Sequence, residues 1–388
     1  MSMRILHLSK TSEGGGWAFA QVRDLRRRGI DVHIVLPSRS GFADAYEGIG
    51  ATVHVLPISL ARVASLETRR AFRRLVAETS PDIIHSHFVS TTLFMRLVLG
   101  RAHPVPRVFQ VPGPLHLETA AIRSAEILTA GPSDNWLGAC RRTVQYYRDA
   151  GVPAGRVGLC YYGGDWERLE GDPDPAVDLG ELDGRSAAVK IGMVAYVYPP
   201  KKWLGQRRGI KGHEDLIDAL ALLRGRGWDV HGVFAGGPWG DAAQYYSEVR
   251  DYGTKVLGDR AHFLGTRSDV RDIYASLDVA VHPSHSENLG GAADSLFLGV
   301  PTVATSVGGF PDIVRPGLTG RLAAPKNPAS LADQIEAVLR EPVLAREQAR
   351  AGGGLVSRNL TIRATGDVLI SHYEGLIRDR AVHPWSGF

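Results

Sequence analysis

The feature that most constrains this chain is a rhythm of short β-rich runs and helix-length amphipathic segments that stops near the middle and then resumes. "MRILHL" (3–8), "DVHIVL" (31–36), "TVHVLP" (52–57), "DIIHSH" (82–87) and "PRVFQV" (106–111) read as strands. Between or after them, "WAFAQVRDLRRRG" (17–29) and the segments 65–79, 89–100 and 133–150 read as helices. Strand, helix and strand in succession imply parallel pairing through crossover helices, so the first half predicts an α/β doubly wound sheet. "GGDWERLEGDPDPAVDLGELDGRS" (163–186) is rich in Gly, Pro and Asp, lacks an apolar period, and reads as a linker. After it come "AVKIGMVAY", a helix from His213, "VHGVFAGG", "AHFLGT", "DVAVHPS" and "PTVATSV". The expectation is two similar α/β domains, residues 1–165 and 188–364, joined by a linker at 166–187 and separated by a cleft. The last helical segment, "TGDVLISHYEGLIRD" (365–379), is long enough for residues 365–388 to cross back over the first domain.

A length of 388 residues supports two cores of common size. The composition, 44% apolar and 22% charged, is that of a soluble globular protein. A formal charge of +4, without a long cationic tail, argues against a nucleic-acid partner. Two cysteines, Cys140 and Cys160, suit a reducing compartment better than a disulfide framework. The apolar stretch at the N-terminus is too short for a signal peptide, and nothing reaches membrane-spanning length. A cytoplasmic protein is expected.

The stretch "HPSHSENLGGAADSLFLGVPTVAT" (282–305) raises a chemical question, because Glu287 and Asp294 bracket a glycine-rich turn at the end of a buried-strand pattern. In open α/β sheets, ligands bind outside the carboxyl ends of the strands, where this turn falls. Asn288, Leu289, Gly290 and Gly291 would lead into a helix whose first N–H groups point at an anion. Glu287 would accept hydrogen bonds from hydroxyls, and Asp294, one turn into the helix, would reach the same cleft. Acids beside an anion site make sense for a ligand with both phosphates and hydroxyls, such as a nucleotide-sugar. As a bare pattern, a tight strand-to-helix connection with two solvated acids fits equally well.

The following "GVPTVATSVGGFPDIVRPGLTGRL" (299–322) makes the pattern specific. Leu277 to Leu322 resembles the donor-binding region of retaining GT-B glycosyltransferases, in particular glycosyltransferase family 4. The resemblance extends to "EGGGWAFAQVRDLRRRGIDVHIV", "YYGGDWERL", "IKGHEDLIDAL" and "FLGTRSDVRDIYASLDVAVHPS". It implies two Rossmann-like domains and transfer of a sugar from a nucleotide diphosphate sugar, with a UDP-sugar preferred. The acceptor would be a glycan precursor or a small molecule bearing a hydroxyl. Configuration would be retained, and neither a metal nor another cofactor would be required. The chain departs from the family in two places. Six residues rather than seven separate Glu287 from the second acid, Asp294, and Tyr196 stands where the family commonly carries an arginine.

Residue by residue, the resemblance implies that Glu287 stabilises positive charge at the anomeric carbon and that Asp294 takes the ribose hydroxyls. Lys211 is badly placed beside a helix N-terminus unless it neutralises a diphosphate, with Arg207 or Arg208 supplying further charge. Backbone groups of Gly265 and Thr266 would hold the base, with Arg267 a lesser candidate. Gly15 and Gly16, in "SEGGGWAFA", would form a cleft-facing loop, and His116, in the proline-bearing "VFQVPGPLHLE", would lie near the transferred sugar. His85 and His87 share a strand face without an evident third metal ligand, so packing is the expected role; the same holds for His282 and His285. Arg69, Arg70, Arg73 and Arg74 cluster on one helical face, read either as a solvated surface or as peripheral contact with the inner face of the plasma membrane. Two other readings stay open: a nucleotide-sugar epimerase or sugar-phosphate synthase of the same fold, and a catalytically silent nucleotide-sugar-binding partner subunit.

Overall fold

The computed structural model describes residues 3–13, 15–164, 166–170, 188–202 and 205–382. Most of the linker read at 166–187 thus lies outside the described residues. The chain divides into two compact units, one comprising Met1–Asp165 and Leu360–Phe388, the other Trp166–Asn359.

The first unit contains a seven-stranded parallel sheet built from β1 (Arg4–Leu8), β2 (Asp31–Leu36), β3 (Thr52–Val55), β4 (Ile83–Ser86), β5 (Arg107–Val111), β6 (Asp134–Gly138) and β7 (Val157–Leu159). The strand order is β3-β2-β1-β4-β5-β6-β7, so the winding reverses between β1 and β4. β4, β5 and β6 are buried at every position, as expected of parallel strands covered on both faces by helices. The helices α1 (Gly16–Arg27), α3 (Leu66–Thr79) and α4 (Val89–Leu99) follow the expected pattern. In α3 the Ser65 hydroxyl caps the first turn by accepting from the Thr68 N–H.

The segment 133–150, read as one helix, is β6 followed by α7 (Arg141–Asp149). The polar residues of "DNWLG" conceal the strand because their partners are distant in sequence. Asp134 accepts from Arg96 Nε at 2.8 Å and Arg107 Nη2 at 2.5 Å, while Arg96 Nη1 also donates to Glu126 at 2.6 Å. Trp136 Nε1 donates to the same Glu126 carboxylate at 2.9 Å. A fully buried ion network therefore underlies this end of the sheet.

The C-terminal helix α15 (Ile362–Val382) packs against α1. Leu369 and Tyr373 enter the core beside Ile5, Val22 and Leu25, and Arg28 pairs with Asp367 at 2.6 Å.

The second unit contains a six-stranded parallel sheet: β8 (Val189–Val194), β9 (Val230–Ala235), β10 (Ala261–Gly265), β11 (Val279–His282), β12 (Thr302–Thr305) and β13 (Arg321–Ala323). Its order, β10-β9-β8-β11-β12-β13, reverses between β8 and β11, which makes the carboxyl ends of those two strands the topological switch point. Helices α8 (His213–Gly225), α11 (Gly290–Phe297) and α13 (Pro328–Arg340) include those that flank this point. The core gathers Ile191, Leu216, Leu220, Val279, Val281 and Val303 beneath it.

Candidate functional site

The site forms where the segment entering α8 meets the loop leaving β11. Gly212, the residue before α8, has a φ of +74°, and a β-carbon there would lie 2.1 Å from the Pro283 carbonyl oxygen, so only glycine allows the approach. The His285 N–H donates to the Ile210 carbonyl at 2.7 Å and fastens the two loops. Lys211, immediately before Gly212, is thereby carried to Glu287, and its ammonium pairs directly with the Glu287 carboxylate. Both side chains are mostly buried, with 23% and 16% of their surface exposed. Burial pulls the Lys211 pKa down, but the Glu287 charge and hydrogen bond outweigh it and raise the pKa above the ordinary lysine value. Lys211 is held as a cation.

Glu287 is fixed from two further sides. Its Oε1 accepts from the Asn288 N–H at 3.0 Å. The loop after β12 presses against its backbone: a β-carbon at Gly308, where φ is +51°, would fall 1.6 Å from the Glu287 carbonyl oxygen. Gly290 and Gly291 form the first turn of α11, which has neither a side-chain cap nor an acid in that turn. An uncapped helix tip beside a lysine is a setting in which oriented N–H groups and a fixed cation favour an anion. Leu289 is buried just before the tip, and Asp294 sits half-buried one turn along. Ser295, which follows it, is fully buried and bonds His282 and Thr302 at 3.0 and 2.9 Å.

The remaining candidates fall as follows. Arg208 Nη1 is committed to Asp215 and Asp218 at 2.6 and 2.7 Å, and Asp215 also accepts His285 Nε2 at 2.6 Å. Arg207, beside it, is exposed. Gly265 ends β10, and Thr266 packs against the loop after β9, where the Gly236 N–H donates to the Gly265 carbonyl at 2.8 Å. Tyr196 lies just past the end of β8, and Arg267 pairs with Asp269.

In the first unit, Gly15 and Gly16 stand at the start of α1. His116, read as a loop residue, lies in the four-residue helix α5 (Leu115–Glu118), where burial lowers its pKa to about 4. His85 and His87 do share a face, and a third histidine, His7, stacks with both at centroid distances of 4.8 and 5.4 Å. Among the described residues no group of three or more His, Cys, Asp or Glu is arranged to hold a metal ion. Arg70 and Arg74 are exposed on α3, while Arg73 donates to the Val98 carbonyl at 3.0 Å. No described helix is long and apolar enough to cross a membrane.

Sequence reasoning missed Tyr198, whose ring centroid lies 5.9 Å from the Lys211 ammonium, and the buried His213, whose Nε2 lies 3.4 Å from the Ala195 carbonyl oxygen. The two-residue spacing of Tyr196 and Tyr198 beyond a strand was the available signal.

Two Rossmann-like parallel-sheet units, the second bearing a Lys–Glu pair at its switch point, define a GT-B fold, and comparisons with known proteins agree. The description "Glycosyl transferases group 1" matches residues 203–341 and "Glycosyl transferase 4-like domain" matches residues 15–163. The chain belongs to the glycosyltransferases of this family, consistent with family 4. It is 30% identical over 188 residues to the lipopolysaccharide core biosynthesis mannosyltransferase LpsB of Rhizobium meliloti (strain 1021), covering 46% of this chain and 53% of that protein. It is 30% identical over 216 residues to the D-inositol 3-phosphate glycosyltransferase of Mycolicibacterium gilvum (strain PYR-GCK), covering 53% of this chain and 46% of that protein. The chain thus spans about half the length of the curated relatives it matches. The crystal structure of Anabaena Alr3699/HepE in complex with UDP superposes with a TM-score of 0.79 at 19% identity, over 96% of this chain and 100% of that one, which establishes likeness of fold.

Proposed function

We propose that this chain transfers a sugar from a nucleotide diphosphate sugar, UDP-linked by preference, to an acceptor hydroxyl with retention of configuration and without a metal. The observation that carries the reading is the Lys211–Glu287 pair at the switch point, beside the uncapped tip of α11. A diphosphate drawn to Lys211 and to the amides of Gly290 and Gly291 competes with the Glu287 carboxylate for the lysine. The carboxylate released from that pairing faces the anomeric carbon, where positive charge develops as the bond to the diphosphate oxygen breaks. The acceptor oxygen forms the new bond to that carbon, and its proton leaves with the diphosphate.

Asp294 takes the ribose hydroxyls, and Gly265 and Thr266 take the base. Arg207, exposed nearby, supplies the second cation, since Arg208 is neutralised by two aspartates. For Gly15, Gly16 and His116, which belong to the first unit, a role toward the acceptor and the transferred sugar rests on the family resemblance alone. The complex of UDP with Alr3699/HepE supports the choice of nucleotide by likeness of fold. The test is a thermal-shift and nucleotide-release series with UDP, GDP and ADP and their glucose conjugates, in chelator. One nucleotide should stabilise the protein, its sugar conjugate should slowly yield free nucleotide, and Lys211→Ala should abolish both effects. Equal response to all nucleotides, or to none, refutes the donor site; tight binding without release supports a silent binding subunit instead.

A further inference from the structure

Beside the charged pair lies an aromatic surface that the charge arrangement does not use. Tyr196 and Trp239 are 40% and 42% exposed, and their rings meet edge to face with centroids 5.2 Å apart. Tyr198 stacks on Trp239 at 5.6 Å. The backbone beneath is rigidly specified: the Val197 N–H donates to the Gly237 carbonyl at 2.9 Å, and the Trp239 N–H donates to the Val197 carbonyl at 3.1 Å. These bonds prolong the β8–β9 ladder past the strand ends and hold two large apolar rings in water. Paired exposed aromatics on a fixed scaffold mark a ligand surface more readily than a packing accident.

What covers the rings follows from their neighbours. On one side, the Lys211 ammonium lies 5.9 Å from the Tyr198 ring centroid. On the other, Gly236 bonds Gly265 at 2.8 Å, and Gly237 packs so closely on Thr266 that a β-carbon would lie 2.3 Å from the threonine hydroxyl oxygen. β9, which bears Trp239 just beyond its end, runs between β8 and β10. A ligand with its anionic group on Lys211 and its far rim on Gly265 and Thr266 runs along the carboxyl ends of β8 and β9, beyond which Tyr196 and Trp239 stand. A hydroxyl-rich ring needs side-chain donors and acceptors around its rim, and those cluster at Lys211 and Glu287. A flat heterocycle needs an apolar face and a few backbone groups at its edge, as Trp239, Gly265 and Thr266 provide.

We propose that Trp239, braced edge to face by Tyr196, forms a stacking platform for the planar base of a nucleotide diphosphate, so that binding energy comes from ring contact beside the position where the resembled family uses an arginine. This rests on the donor reading above. Stacking of a base on an aromatic side chain changes affinity by about tenfold or more.

Titration calorimetry of the full chain against UDP and against inorganic pyrophosphate tests the platform. Trp239→Ala should weaken UDP about tenfold or more and leave pyrophosphate unchanged, and Trp239→Phe should recover most of the loss. Lys211→Ala should weaken both ligands. The side chain of Trp239 is exposed enough that the melting temperature of the ligand-free variant serves as the folding control. Unchanged UDP affinity in Trp239→Ala overturns the platform, as does an equal loss for both ligands, which would make the rings a mere prop for Lys211. If the wild-type protein binds neither ligand, the donor reading itself fails and the platform falls with it.

Discussion

Acidification from about pH 7.5 to about pH 5.5 should destabilise each unit more than its carboxylates can explain, because both units bury neutral histidines. In the second unit, burial lowers His282 to about 3, with the nearby Lys211 charge adding to the effect, and lowers His213 to about 4. Both side chains are nearly inaccessible, at 5% and 3% exposure. The ordinary histidine value is 6.5. The unfolded chain therefore takes up protons as the pH drops through 6.5 while the folded unit does not until about 3 or 4. The sign follows: stability is complete above 6.5 and is lost progressively toward the folded values. At one pH unit below the unfolded pKa, each histidine costs about 1.4 kcal/mol, so the pair costs about 3 kcal/mol. In the first unit, His7 is lowered to about 3, and His85 and His87 lie well below their ordinary value, again chiefly through burial. Three such groups cost about 4 kcal/mol, a large part of the roughly 5–15 kcal/mol typical of a domain. Urea unfolding at the two pH values, followed by circular dichroism and tryptophan fluorescence, measures the loss. His282→Asn, which can keep a hydrogen bond to Ser295 without titrating, should reduce the second unit's pH-dependent loss by about 1.4 kcal/mol. A stability equal at both pH values, or an undiminished loss in the variant, refutes the argument.

Three further outcomes are expected. Asp134→Ala leaves the buried guanidinium groups of Arg96 and Arg107 short of their shared carboxylate, and urea unfolding should register a loss of about 3–5 kcal/mol. Gly308→Ala pushes a methyl into the Glu287 carbonyl and should reduce nucleotide release by about 100-fold, the scale on which a misplaced reacting group is felt. Gly317→Ala, at a φ of +78° with nothing within 4 Å, is its control for backbone strain and should remain active. Charge reversal at the exposed Arg70 and Arg74 should lower co-sedimentation with phosphatidylserine vesicles at low salt, and wild-type protein that never co-sediments would remove the membrane reading.

The alternation of strands and helices was legible because its signal is local: parallel strands buried on both faces are short apolar runs, and their crossover helices carry a separate period. The strand at Asp134–Gly138 was not legible for the opposite reason. Its polar side chains are neutralised by Arg96, Arg107 and Glu126, partners that no window of a few residues contains. The charged residues of the site divide in the same way. Glu287 and Lys211 stood out through local chemistry, an acid before a glycine turn and a lysine at a helix start, and the fold brings them together across 76 positions. Arg208 looked equally available, yet two aspartates on the next helix claim it, and only coordinates reveal that competition.

The aromatic pair sharpens the point. A tyrosine in the place of an arginine read as a loss of charge, because a sequence displays what a side chain carries and conceals what it faces. With Trp239 beside it and Lys211 behind Tyr198, the same residue belongs to a surface that attracts a ligand through contact area. A site can exchange a Coulombic contact for a dispersive one only where a rigid neighbour completes the ring surface, and here the bonds between Val197, Gly237 and Trp239 fix that neighbour. The salt dependence of nucleotide affinity should accordingly be shallower than that of a site with one more arginine, since ring contact is insensitive to ionic strength while surface charge is screened.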